Sequence, residues 1–239
     1  MFNLKSIHWQ LKTIVSSNFL FFKYLIKPLS KHKELFLNKG TNLIIEGYPR
    51  CGNTFCVAAF YYFSENNLSI ARHRHEIGHV KHALFTGVPI LIVFREPIEA
   101  ISSFIVREGV SERFAVNFYI KFNSFILKNR DNLLLFDFND IVNNIKGVVN
   151  CFSKKCGLTL IGFDNKGDVD EIKNIVIEME KKDSGSDNVR STHVAYPNKS
   201  RDILKNKVKY RLINQHSTLL EKANNIYSEL MLKRTELVD

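Results

Sequence analysis

The residues of this chain that could do chemistry are arginines and histidines set around one glycine loop. In "LIIEGYPRCGNTFCVAAF" (residues 43–60), Gly47, Gly52 and Thr54 have the spacing of a phosphate-binding loop, G-x-x-x-x-G-K-[ST], but Asn53 stands where the lysine belongs and Arg50 lies inside the loop. A strand, a glycine turn and a helix N-terminus together make an anion site from backbone N–H groups. The apolar run "PILIVF" (89–94) ends in Arg95, where a Mg²⁺-triphosphate site would place a carboxylate. Both departures favour an anion held by guanidinium groups.

The second reactive group is "IARHRHEIGHV" (70–80), with His73, His75 and His79. An unperturbed imidazole titrates near ~6.5 and suits general-base work at neutral pH. The segment His75–His79 also reads H-E-x-x-H, which on a helix sets two imidazoles on one face with a glutamate beside them, the arrangement of a zinc-dependent hydrolase. That alternative lacks an apolar lead-in, since Arg72, His73 and Arg74 come just before it. It also lacks a third ligand in register, since Ala83 and Leu84 follow His82.

The elements that must position these groups alternate. Apolar runs at 43–45, 68–71, 89–94 and 132–138 read as strands. Between them, 54–63 reads as a helix, Pro97 opens another ("PIEAISSFIVRE"), and a longer one carries Phe114, Phe118, Phe122 and Phe125 on one face. Asp140 is expected to cap the helix after the last strand, whose apolar face is Ile141, Ile145, Val148 and Phe152. Strands alternating with helices predict an α/β, three-layer fold around a mostly parallel sheet. Residues 164–200 are polar, "KKDSGSDNVRSTH" (181–193) reads as a loop, and helices near 201–213 and 216–233 close the chain.

The organisation expected is a basic amphipathic helical extension over 1–40 and one α/β domain over 41–239. The first forty residues hold seven Lys and one Glu among bulky apolar residues. Their longest uncharged stretch, Thr13–Phe22, is shorter than the ~20 apolar residues a bilayer span needs. Such a helix either packs on the domain or lies on a membrane surface as a peripheral contact. The net charge of +10 favours anionic partners. Nucleic acid is not expected, because no RNA-binding, zinc-finger or helix-turn-helix signature is present. Cys51, Cys56, Cys151 and Cys156 lack metal or disulfide-framework spacing and read as reduced thiols, which points to the cytoplasm, with the inner membrane face as the peripheral site.

Two of these motifs carry a family resemblance. "GYPRCGNTF" resembles the 5′-phosphosulfate loop of sulfotransferases that use 3′-phosphoadenosine 5′-phosphosulfate (PAPS), a loop of type Y-P-[KR]-S-G-[TN]-T-[WF]. "VFREPIEAISSF" resembles their 3′-phosphate motif, R-x-P-x-x-x-x-x-S, with Arg95, Pro97 and Ser103 in register. The "IARHRHEIGHV" segment lies where bacterial members often carry paired histidines. The resemblance covers roughly 43–138 and implies a P-loop-like sulfotransferase fold with PAPS as donor and no metal. It implies that Arg50, Asn53 and Thr54, with the N–H groups of Cys51 and Gly52, hold the phosphosulfate, and that Phe55 packs on adenine. Arg95 and Ser103 would hold the 3′-phosphate, and His75, or secondarily His73, would be the base. Arg50 replaces the family's usual lysine and Cys51 its serine. The family's closing R-K-G segment is not visible, and Lys199 and Arg201 in "YPNKSRD" stand in for it. The expected acceptor is a hydroxyl or amine on a small molecule, a glycan or a lipid-linked molecule. A nucleotide-binding protein without activity is the other alternative.

Overall fold

A computed structural model describes residues 4–65, 67–158, 160, 169–184 and 199–237. Four strands form one all-parallel sheet: β1 (Leu43–Gly47), β2 (Ile70–Arg72), β3 (Ile90–Phe94) and β4 (Leu134–Asp137), in the order β2-β1-β3-β4. β1 and β3 are buried along their whole length. Continuous apolar runs can form such strands because helices cover both faces.

Those helices are α1 (Leu4–Ser17), α2 (Asn53–Phe63), α3 (Ile77–Thr86), α4 (Pro97–Glu108), α5 (Glu112–Lys128), α6 (Phe138–Asn143), α7 (Ile145–Cys156), α8 (Val169–Ser184), α9 (Lys199–Gln215) and α10 (Ser217–Leu232). They fall into two packing groups. α2 packs with α7 and α8, whereas α4, α5, α9 and α10 pack on one another, with α1 against α3 and α5. The fold is therefore three-layered α/β. Phe60 against Phe152 closes the first group, and Tyr48, Phe104, Phe118 and Tyr119 form an aromatic knot in the second.

The chain passes from β1 to β2 on one side and then to β3 on the other, so the strand order reverses between β1 and β3. Ligand sites in open parallel sheets form at such a switch point, beyond the strands' C-terminal ends. The glycine loop leaves β1 here, and Arg95 follows β3.

Several sequence expectations need correction. β2 is Ile70–Arg72, not 68–71. Among the described residues its only lateral partner is β1, so its ends are set by register (Leu43 opposite Ile70) rather than by its own apolar run. The helix after β4 is capped by Asp137, not by Asp140. Asp137 accepts from Asn139 N–H, while Asp140 reaches back to the Asp137 N–H as the far half of a capping box. The expected single helix there is two, because Asn144 leaves helical geometry and caps α7 through Gly147 N–H. Residues 169–184 form helix α8 within the span read as polar, and the helix takes in 181–184 of the stretch read as a loop, with Ile172, Val176 and Met179 buried. The rest of "KKDSGSDNVRSTH", from 185 on, lies outside the described residues.

The described part of the N-terminal segment, residues 4–40, is bound to the domain. Ser6 Oγ accepts from Ser111 N–H, Lys81 Nζ donates to the Ser17 carbonyl, and Trp9 packs edge-on against Phe104 at 5.1 Å. Gly78 lets α3 approach, since a Cβ there would lie 2.1 Å from the Ser16 carbonyl oxygen. Among the described residues, no helix is long and apolar enough to cross a membrane.

Candidate functional site

The glycine loop is held by its own residues. Gly47 ends β1 so close to β3 that a Cβ would sit 2.1 Å from the Val93 carbonyl oxygen and 2.7 Å from Asn53 Oδ1. Gly52 has φ +94 and precedes α2, whose ladder begins with Cys56 N–H donating to the Gly52 carbonyl. The α2 N–H groups ahead of Cys56 have no intrahelical acceptor. Asn53, in the position of the absent lysine, is 4% exposed and donates from Nδ2 to the Tyr48 carbonyl. Tyr48 is itself pinned by its hydroxyl donating to the Ala115 carbonyl. Asn53 therefore fastens the loop, and its side chain supplies no charge. The Cys51 thiol is buried in the core, where desolvation pushes its pKa up to about 12, and Cys51, expected from sequence at the anion site, is not among the residues lining the cavity.

Charge comes from arginines. Arg95 Nη1 donates to the Arg50 carbonyl at 3.2 Å, and Arg50 Nε donates to Ser103 Oγ at 3.1 Å. The three residues expected to hold opposite ends of one nucleotide are thus in direct contact. Arg95 also stacks over Phe138 at 3.8 Å, and its carbonyl accepts from the Tyr119 hydroxyl. Burial lowers the Arg50 pKa to about 9, with the nearby charges of Arg107, Arg201 and Arg95 adding to the effect and Glu180 opposing it. Four guanidinium groups crowd here, with Arg107 Nε 3.2 Å from Glu108 Oε1. Glu99, which lies 3.8 Å from Arg95, is already paired with Lys205 and Lys209.

These side chains line a cavity of about 810 Å³. Arg50, Gly52, Asn53, Thr54, Phe55, His73, His75, Arg95, Ser103 and Arg201, all expected from sequence, line its wall. Lys199 opens α9, and its side chain lies outside the described residues. The lining holds seven Lys or Arg (Lys12, Arg50, Arg95, Arg107, Lys173, Arg201, Lys205) against three acids, Glu108, Glu180 and Asp202. Such a surface attracts a multiply charged anion.

The histidines sit at the end of β2 in strained backbone. Among the described residues, four non-glycine residues have positive φ, and three of them, Arg50 (70°), His73 (59°) and His75 (54°), line this cavity. Conformations of this kind cost roughly 1–3 kcal/mol each and persist where surroundings impose them. The imposing group here is Glu46, fully buried in β1. Its Oε1 accepts from Arg74 N–H (2.8 Å) and His79 Nδ1 (2.9 Å), and its Oε2 accepts from His75 N–H (2.9 Å). Burial alone would raise its pKa, but the bonds and charges of His79, His75 and Arg74 prevail and hold it at about 2.

His75 Nδ1 lies 2.8 Å from the Gly47 carbonyl, which can only accept, so Nδ1 carries the proton and Nε2 is the basic nitrogen. Although 19% of the side chain remains open, desolvation lowers its pKa to about 4, the Glu46 charge opposing and the His73 and Lys12 charges adding. At neutral pH this imidazole is uncharged and able to accept a proton. His73 stacks on it with ring centroids 6.3 Å apart and is tied through Nδ1 to Arg72 Nη1.

The zinc arrangement that H-E-x-x-H needs is not formed. α3 starts at Ile77 with Glu76 as N-cap, so His75 lies outside the helix and shares no helical face with His79. Both His79 nitrogens are committed, Nδ1 to Glu46 and Nε2 as acceptor of Leu37 N–H. Among the described residues, no cluster of three or more His, Cys, Asp or Glu is placed to hold a metal ion.

Sequence reading missed Glu46, Arg107, Phe138, Trp9 and Lys12. Arg107 follows Arg95 by twelve positions and reaches the cavity because α4 runs along it. Trp9 and Lys12 line it from α1, with Lys12 4.6 Å above the Trp9 ring and 3.3 Å from Glu76. Compared with known proteins, the chain matches no family model and no curated protein.

Proposed function

We propose that the protein is a sulfotransferase that uses the cavity at the β1/β3 switch point to bind PAPS and pass its sulfuryl group to a hydroxyl or amine acceptor. The observation that carries this reading is the direct contact of Arg50, Arg95 and Ser103 in a cavity with a surplus of cations. Adenosine 3′,5′-bisphosphate, the product nucleotide, carries about three to four negative charges, since each phosphate monoester holds about −1.5 to −2. The lining's excess of cations and its volume suit that ligand, as nucleotide-sized sites occupy roughly 300–1,000 Å³.

The residues fit the group in two regions. The α2 N-terminus, Thr54 and Arg50 would hold its 5′ side, while Arg95, Ser103 and the adjoining Arg107 and Arg201 would hold the 3′-phosphate. Phe55 and Phe138 offer flat faces for the base. The bound donor would supply an activated sulfuryl group on a phosphosulfate anhydride. Fixed guanidinium charge lowers the cost of negative charge on the leaving phosphate oxygen without reorganisation. His75 Nε2, basic by virtue of the Nδ1 bond to Gly47, would accept the acceptor's proton. Bound anionic groups raise the affinity of a nearby imidazole for a proton, so its basicity would increase once the site is filled. Trp9 and Lys12, which share the lining with the histidines, would face the acceptor.

The test is nucleotide discrimination. Arg95→Ala should weaken adenosine 3′,5′-bisphosphate by about 10–100-fold, the value of a hydrogen bond to a charged group, and weaken adenosine 5′-phosphate by less than about threefold. Equal losses for both nucleotides would remove Arg95 from this role.

A further inference from the structure

A second basic cavity lies away from the arginine cluster, and an apolar surface adjoins it. About 300 Å³ in volume, it is lined by Lys23, Tyr24, Lys27, Pro28, Lys33, Asn38 and His82, with no carboxylate. His82 is 5% exposed, and its Nδ1 has no hydrogen-bond partner among the described residues. Lys23 stands 5.2–5.8 Å from the rings of Phe19, Tyr24 and Phe85, which joins the cavity to the outer surface of α3. Around it the chain leaves Leu11, Ile14, Leu20, Phe21, Tyr24 and Leu29 between 55% and 74% exposed. The first thirty-three residues hold six Lys and no Asp or Glu.

We propose that this face docks on an anionic bilayer, with a lipid phosphate headgroup in the Lys23–Lys27–Lys33–His82 cavity and the neighbouring apolar side chains in the acyl boundary. A lysine-rich face with a bulky apolar stripe and a single exposed acid, Glu34, which lies 3.4 Å from His32, matches an anionic lipid surface in both charge and polarity. A protein partner would not require a basic cavity beside the apolar stripe. Because the same segment lines the larger cavity through Trp9, Lys12, His32 and Leu35, docking would bring that cavity to the membrane surface.

The experiment is co-sedimentation of the full chain with vesicles of phosphatidylglycerol and phosphatidylcholine, compared with vesicles of phosphatidylcholine alone. Binding to the anionic vesicles only, weakening as salt is raised, is expected. The K23Q/K33Q variant should lose about thirtyfold in vesicle affinity, near a factor of five for each lysine. The F21S/L29S variant should lose about tenfold or more, and both should keep the wild-type circular dichroism spectrum. Equal binding to both vesicle types, or no binding by the wild-type chain, would overturn the proposal. So would full competition by millimolar inorganic phosphate, which would mark a soluble-anion site. A wild-type dimer abolished by F21S/L29S, without vesicle binding, would assign the face to a second copy of the chain and also overturn it.

Discussion

Glu46→Gln isolates the group that shapes the histidine segment. The carboxylate accepts three N–H donors at 2.8–2.9 Å in a fully buried site. A glutamine keeps the shape but has one acceptor. With its oxygen toward Arg74 and His79, its amide meets the His75 N–H as donor against donor; turned over, it leaves two donors unpaired. The less costly arrangement loses one charge-assisted bond, about 1.5–3 kcal/mol, and strands a buried N–H, a further ~1–3 kcal/mol. A loss of about 3–5 kcal/mol is expected, which for a chain of this length lowers Tm by about 6–10 °C. Thermal melts followed by circular dichroism measure it. Below the melt, affinity for adenosine 3′,5′-bisphosphate should stay within about threefold of wild type, because Glu46 does not touch the arginine cluster. A Tm within about 1 °C of wild type would refute the reasoning, since buried donors cannot lose their acceptor at no cost.

Other consequences follow from the same geometry. Two-dimensional NMR should find His75 neutral in the free protein down to about pH 5, because its pKa is lowered to about 4, with the value rising when the bisphosphate nucleotide binds. His75 and His82 (also lowered to about 4) both lie below the unfolded imidazole value, so the unfolded chain takes up their protons first as pH falls. Urea midpoints should therefore drop between about pH 6.5 and 4, with a slope approaching ~1.4 kcal/mol per pH unit for each group, and be flat above that window; a midpoint rising on acidification would contradict both shifts. Gly47→Ala drives a Cβ to 2.1 Å from the Val93 carbonyl oxygen and should cost more than about 2 kcal/mol, whereas Gly87→Ala, with open space but φ +72, should cost about 1 kcal/mol; equal melts would deny the close approach of β1 and β3. Arg107→Ala removes a charge that opposes Arg50, so the free protein should melt no lower than wild type while nucleotide affinity falls about tenfold.

The sheet and the placement of Arg50 and Arg95 were legible because they rest on local signals: apolar runs of strand length, a glycine loop and a proline at a helix start. What was not legible depends on partners distant in the chain. Glu46 sits in an apolar strand, and nothing near it in sequence announces donors 28 to 33 positions later. The H-E-x-x-H spacing carried the helical periodicity of a metal site, but Glu46 pulls His75 out of the helix, and tertiary contact overrides the pattern. Helix α8 carries Ile172, Ile175, Val176 and Met179 at helical spacing, a signal outweighed by the polar residues of the surrounding span. Asp140 was expected as the cap because it precedes the apolar face of the helix, but the backbone turns into the helix three residues earlier, at Asp137. Of the arginine cluster, Arg50 and Arg95 lie in motifs and Arg201 was expected as a stand-in for the closing segment, whereas Arg107 has no motif and joins it only through the course of α4.

The central claim is that guanidinium groups at neighbouring strand ends hold an adenosine nucleotide bearing two phosphates without help from a divalent cation. Isothermal titration calorimetry of adenosine 3′,5′-bisphosphate into the full chain, in chelator and again with excess Mg²⁺, tests it most directly. The account predicts one-to-one binding in chelator, essentially unchanged by Mg²⁺ and weakened by salt. No heat in chelator, with binding restored only by Mg²⁺, would contradict it.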